Sequence, residues 1–114
     1  FNGDATTCDA LWMGVPVLTV PGNRLSARRA AGLLHVVGAD EWIAPDEDAY
    51  VAQAAAWAQH PDDLAAVHAR LPAQVRRSPL CNAAAVAGAI ETAFRDAWRI
   101  ACRPKTNPPP RAAP

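Results

Sequence analysis

The stretch whose reading decides the fold is NGDATTCDALWMGVPVLTVPG, Asn2 to Gly22. Thr6 to Met13 reads as a short helix stopped by Gly14, the residue that accepts a left-handed C′ conformation at little cost. Val15 and Pro16 lead into Val17-Leu18-Thr19-Val20, which reads as a short strand closed by the breaker pair Pro21-Gly22. A helix joined this tightly to a strand points to an α/β layer.

Outward from that unit the punctuation continues. Ser26 is placed to cap a helix over Ala27 to Val37, with Ala30, Leu33, Leu34 and Val37 at helical spacing and Gly38 as the stop. Glu41-Trp42-Ile43-Ala44 reads as a second short strand. Pro45-Asp46 opens a helix through Tyr50, Val51, Ala54, Trp57 and Ala58, and Pro61-Asp62 opens another carrying Leu64, Val67 and Leu71 until Pro72 interrupts it. Ser78-Pro79 reads as a turn and Asn82 as the cap of a last helix from about Ala83 to Cys102, with Val86, Ile90, Ala93, Phe94, Ala97 and Ala101 on one face.

The fold class predicted by this order is α/β: a partial Rossmann-like domain over residues 1–102, helix-rich with about two short parallel strands. Residues 103–114, RPKTNPPPRAAP, are expected to be a disordered proline-rich tail. Parallel strands need neighbours to satisfy their backbone groups, and two do not make such a sheet. The missing strands are therefore expected upstream of residue 1, where the chain opens mid-pattern without a methionine.

The 114 residues suit one domain, and 51% of them are hydrophobic. Much of that fraction is alanine, which buries little area, so the core is expected to be thin. Eleven basic and eleven acidic residues cancel, which argues against nucleic-acid and membrane-surface partners. No run reaches the roughly 18 apolar residues of a membrane span. Cys8, Cys81 and Cys102 lie far apart without a CxxC pair, which predicts free thiols, a reducing cytoplasmic location and no metal site. His35, His60 and His68 are scattered, with His68 read as structural; Trp12, Trp42, Trp57 and Trp98 read as packing residues.

The front of the first helix carries the chemistry. A helix N-terminus exposes unpaired N–H groups and a partial positive charge, and so favours an anion, above all a diphosphate. Gly3 allows close backbone approach, Thr6 offers a hydroxyl, and Asp9, three residues on, shares its face and can accept from vicinal ribose hydroxyls. Neither the dinucleotide GxGxxG pattern nor the P-loop pattern is present. A plainer reading stands beside this one, in which Thr6 or Asp4 caps the helix and Asp9 offsets its dipole.

Gly3, Thr6, Asp9, Gly14, Pro16 and Pro21 together resemble the nucleotide-binding signature of GT-B glycosyltransferases, G-x-x-T-x-x-[ED]-x-x-x-x-G-x-P-x-x-x-x-P. TTCDALWMGVPVLTVPG is closer still to the O-linked N-acetylglucosamine transferases and their SPINDLY-like relatives, which carry tetratricopeptide repeats ahead of the catalytic region. LSARRAAGLL resembles that branch's next helix, with Arg28 at its usual arginine position, and SPLCN followed by AFRDAW resembles its C-terminal element.

The resemblance implies an inverting transfer of a sugar from a nucleotide donor to a protein Ser or Thr hydroxyl, with no cofactor and no required metal. UDP-N-acetylglucosamine is the default donor, while SPINDLY-type relatives use GDP-fucose. It implies nucleotide-sugar contacts at Gly3, Asp4, Ala5, Thr6, Thr7 and Asp9, and places the catalytic residues upstream of residue 1. A GT-B enzyme with a glycan or small-molecule acceptor, or a non-catalytic helical interaction module, are the alternatives.

Two positions depart from the pattern: relatives often have His or Thr at Asp4, and Thr at Ala5. A carboxylate about 4 Å from a phosphate costs about 4 kcal/mol at an effective dielectric near ~20. Asp4 is therefore expected to point away or to meet a lysine from outside this chain. Arg28 is expected to form a surface ion pair.

Overall fold

The computed structural model describes residues 2–103. The expected disordered tail, apart from Arg103, lies outside the described residues. Among the described residues five helices follow one another: α1 (Ala5–Trp12), α2 (Arg29–Val37), α3 (Glu47–Ala58), α4 (Pro61–Arg77) and α5 (Ala83–Ala101). Single 3-10 turns lie at Leu25–Ala27, Asp40–Trp42 and Pro79–Cys81. The chain divides into two units, residues 1–82 with α1 to α4 and residues 83–114 with α5.

The α/β expectation is overturned, because among the described residues no strand forms. Val17–Val20 and Glu41–Ala44 meet only at one isolated parallel bridge between Thr19 and Ile43. Thr19 N–H donates to the Trp42 carbonyl at 3.0 Å, and Ala44 N–H donates to the Thr19 carbonyl at 2.8 Å. The physical reason lies at both ends of the runs. Pro16 and Pro21 bracket the first and have no N–H to give. The second begins inside the 3-10 turn Asp40–Trp42, which takes its first residues out of any ladder. One residue pair is left to bond, so this is a helical assembly rather than a Rossmann-like layer with two parallel strands.

The helix boundaries follow local chemistry, with two corrections. Gly14 (φ 81°) and Gly38 (φ 77°) take the left-handed conformation that stops α1 and α2. Asp46 caps α3 by accepting from Ala49 N–H at 2.8 Å. Ser26, expected as the cap of α2, lies instead in the preceding 3-10 turn, and α2 starts at Arg29 without a side-chain cap.

Pro72 does not end α4, which continues to Arg77. A proline inside a helix leaves the carbonyl four residues earlier, here that of His68, without its helical donor. That carbonyl lies against Gly14, where an added Cβ would approach it to 2.6 Å. His68 Nδ1–H in turn donates to the Gly14 carbonyl at 3.1 Å. The broken rung of α4 thus becomes the seat of the α1 terminus.

The core of the first unit is small. Leu11 of α1, Leu34 and Val37 of α2, Trp42, and Val67, Leu71 and Val75 of α4 form it. The α4 residues repeat every four positions, so one face of that helix carries its burial. Trp57 of α3 stacks on Trp42 with centroids 4.5 Å apart and rings 18° from parallel. Trp12 is half exposed, with the Arg76 guanidinium 5.9 Å from its ring centre.

In the second unit, Val86, Ile90, Phe94 and Trp98 stripe one face of α5, all exposed. Arg95–Glu91 (3.1 Å) and Arg99–Asp96 (3.0 Å) pair along the helix.

Candidate functional site

At the front of α1, Gly3, Asp4, Ala5, Thr6 and Asp9 are exposed, whereas Thr7 is turned inward and buried. Asp4 is the N-cap residue, and its carbonyl accepts from Thr7 N–H at 3.1 Å and from Cys8 N–H at 3.2 Å. No side chain caps the helix. Asp4 thus holds the cap position as one reading had it, but without a capping bond from its side chain, and Thr6 lies inside the helix. The N–H groups of Ala5 and Thr6 have no partner among the described residues.

Gly3 is required by crowding. A Cβ there would stand 2.7 Å from Thr7 Oγ1 and 2.9 Å from Thr6 Oγ1, so both hydroxyls close over its backbone. The structure thus gathers Gly3, Ala5 and Thr6 at one helix mouth. Asp9 is exposed one turn further on, and Thr7 serves packing beneath.

The mouth is held in place from the loop side. Asn2 N–H donates to the Ser26 carbonyl at 3.2 Å, and Asn2 Nδ2 to the Ala27 carbonyl at 2.7 Å and the Val20 carbonyl at 3.4 Å. Gly22 N–H donates to the Ala27 carbonyl at 2.9 Å. Arg28 does not make the expected surface ion pair. Its Nε donates to the Gly22 carbonyl at 2.7 Å, pinning the Pro-Gly turn to the start of α2.

Asp4, expected to point away or to meet a lysine from outside this chain, finds its cation within it. Its carboxylate pairs with the guanidinium of Arg29, the first residue of α2. That neighbour reduces the repulsion that a bare carboxylate would exert on a phosphate nearby. Burial, and then the Asp4 and Asp9 carboxylates, push the Cys8 thiol up, which favours its protonated form.

Sequence reasoning gave Arg29 and Asn2 no role at this helix end. The signal for Arg29 was Asp4 itself, an exposed acid with which a nearby base can pair.

Elsewhere the polar groups serve structure. An open groove of about 540 Å³ between the ends of α2 and α4 is lined by His35, Arg70, Gln74 and Arg77. There His35 pairs with Asp40 at 2.7 Å and Arg70 with Glu41 at 3.0 Å, while Gln74 Nε2 donates to the Gly38 carbonyl at 2.8 Å. Among the described residues no helix is long and apolar enough to cross a membrane.

Comparison with known proteins gives the chain a family. Residues 1–90 match Glycosyl transferase family 41. Over 102 residues the chain is 34% identical to a probable UDP-N-acetylglucosamine–peptide N-acetylglucosaminyltransferase SPINDLY of Solanum lycopersicum, covering 90% of this chain and 11% of that protein. The SPINDLY of Arabidopsis thaliana is 32% identical over 103 residues, with the same two coverages. A UDP-N-acetylglucosamine–peptide N-acetylglucosaminyltransferase of Caenorhabditis elegans is 34% identical over 70 residues, 61% of this chain and 6% of that protein. The chain thus spans about a tenth of the length of the curated relatives it matches. With most of its length aligned, it belongs to glycosyl transferase family 41.

Proposed function

We propose that this chain is the donor-nucleotide-binding part of an inverting glycosyltransferase that moves N-acetylglucosamine from UDP-N-acetylglucosamine to Ser or Thr hydroxyls of proteins. The observation that carries this reading is the exposed, uncapped first turn of α1. The names of the relatives, which specify UDP-N-acetylglucosamine and a peptide, support the donor and acceptor classes.

In this reading the Ala5 and Thr6 N–H groups and the Thr6 hydroxyl receive the diphosphate, Gly3 admits it, and Asp9 accepts from the ribose hydroxyls. The acceptor oxygen attacks the anomeric carbon on the face opposite the nucleotide. Its bond forms as the bond from that carbon to the diphosphate oxygen breaks, and a base from elsewhere in the longer protein takes the acceptor proton. Negative charge grows on the departing diphosphate, so helix N–H donors aimed there act most strongly in the transition state.

The test is calorimetric titration of the full-length protein with UDP and GDP, followed by transfer assays with the matching sugar donors. UDP is expected to bind saturably. Asp9→Asn is expected to weaken it about tenfold, the scale of one hydrogen bond to a charged group, with a smaller loss for 2′-deoxy-UDP. Absence of heat with every nucleoside diphosphate would overturn the proposal. It would favour a helical interaction module instead, a reading that the exposed apolar stripe of α5 supports.

A further inference from the structure

On the reading of α1 as a diphosphate site, we infer that Arg29 is the residue that makes this site usable in this chain: a specificity-determining cation that exchanges Asp4 for the diphosphate. Asp4 occupies the N-cap position without capping, so its charge lies next to the exposed first turn to which an incoming anion would bind. Left alone it would repel that anion. Its partner comes from α2, at the first residue of a helix that also lacks a side-chain cap. A guanidinium at the positive end of its own helix is poorly placed unless an anion lies beside it.

The pair itself is exchangeable. Both side chains are about half exposed, at 50% and 53%, so solvent screens their attraction. Only one guanidinium nitrogen reaches Asp4, and the planar fork retains further N–H donors for phosphate oxygens. The neighbouring Arg28 donates through Nε to the Gly22 carbonyl, which fixes the start of α2, while Arg29 is the arginine that pairs with Asp4.

The experiment titrates the full-length protein with UDP, UMP and uridine, with each variant's melting temperature checked. Arg29→Met is expected to weaken UDP at least tenfold and to leave uridine unchanged, while Arg29→Lys keeps most of the affinity. Asp4→Asn is expected to bind UDP as well as the parent protein or better, and to recover part of the loss when combined with Arg29→Met. If Arg29→Met binds UDP like the parent, or loses uridine and UDP alike, the role of Arg29 is overturned while the site stands. If the parent protein binds no nucleoside diphosphate, the site is overturned and the role of Arg29 with it.

Discussion

Gly14 shows what one residue contributes. Its φ of 81° alone disfavours any L side chain by about 1–2 kcal/mol. The His68 carbonyl, 2.6 Å from where a Cβ would sit, adds a backbone clash that no rotamer relieves. Gly14→Ala is expected to lower stability by at least about 2 kcal/mol, read as a fall in urea midpoint with an unchanged m-value. Gly32 is the internal control. It lies within α2 with nothing inside 4 Å of its added Cβ, so Gly32→Ala is expected to gain up to about 1 kcal/mol. The sequence marked Gly14 as a helix stop from its position alone. The clash was invisible there, because the carbonyl it meets comes from 54 residues away. Asp4 was legible in the same partial way, as a departure from a pattern, while its partner in α2 was not.

At the scale of elements, α4 and the bridge show local signals being overruled in opposite directions. Pro72 is a helix breaker by local rules, yet α4 runs through it, because Val67, Leu71 and Val75 bury one continuous face on both sides of the break. Pro72→Ala restores the donor for the His68 carbonyl and is expected to stabilise the chain, by up to about 3 kcal/mol on helix propensity. Thermal unfolding followed by circular dichroism checks this, and a lower melting temperature would show that the Gly14 seat needs the broken rung. The runs Val17–Val20 and Glu41–Ala44 fail the other way. Their composition is suited to strands, but a strand exists only through its partner, and a single pair is all that these two offer each other.

At the scale of the molecule, the thin core expected from alanine is what forms. The largest fully buried side chains among the described residues are Leu11, Leu34, Leu71 and Val75, contributed by α1, α2 and α4. In hydrogen exchange of the 114-residue chain, the slowest amides are expected between Val67 and Val75. Those of α5 are expected to exchange much faster, since none of its residues is buried and a single helix of this length is marginal in water. Uniform protection of α4 and α5 would contradict the division into two units.

The sequence by itself determined where most helices begin and end, the residues at the front of α1, and the family resemblance those residues carry. These depend on spacing, capping and φ preference, which act over a few residues. Tertiary structure alone decided that two strand-like runs reduce to one bridge, that a proline continues a helix, and that Asp4 answers to Arg29. Each of these turns on a partner distant along the chain, and short-range propensity carries no information about which partner arrives.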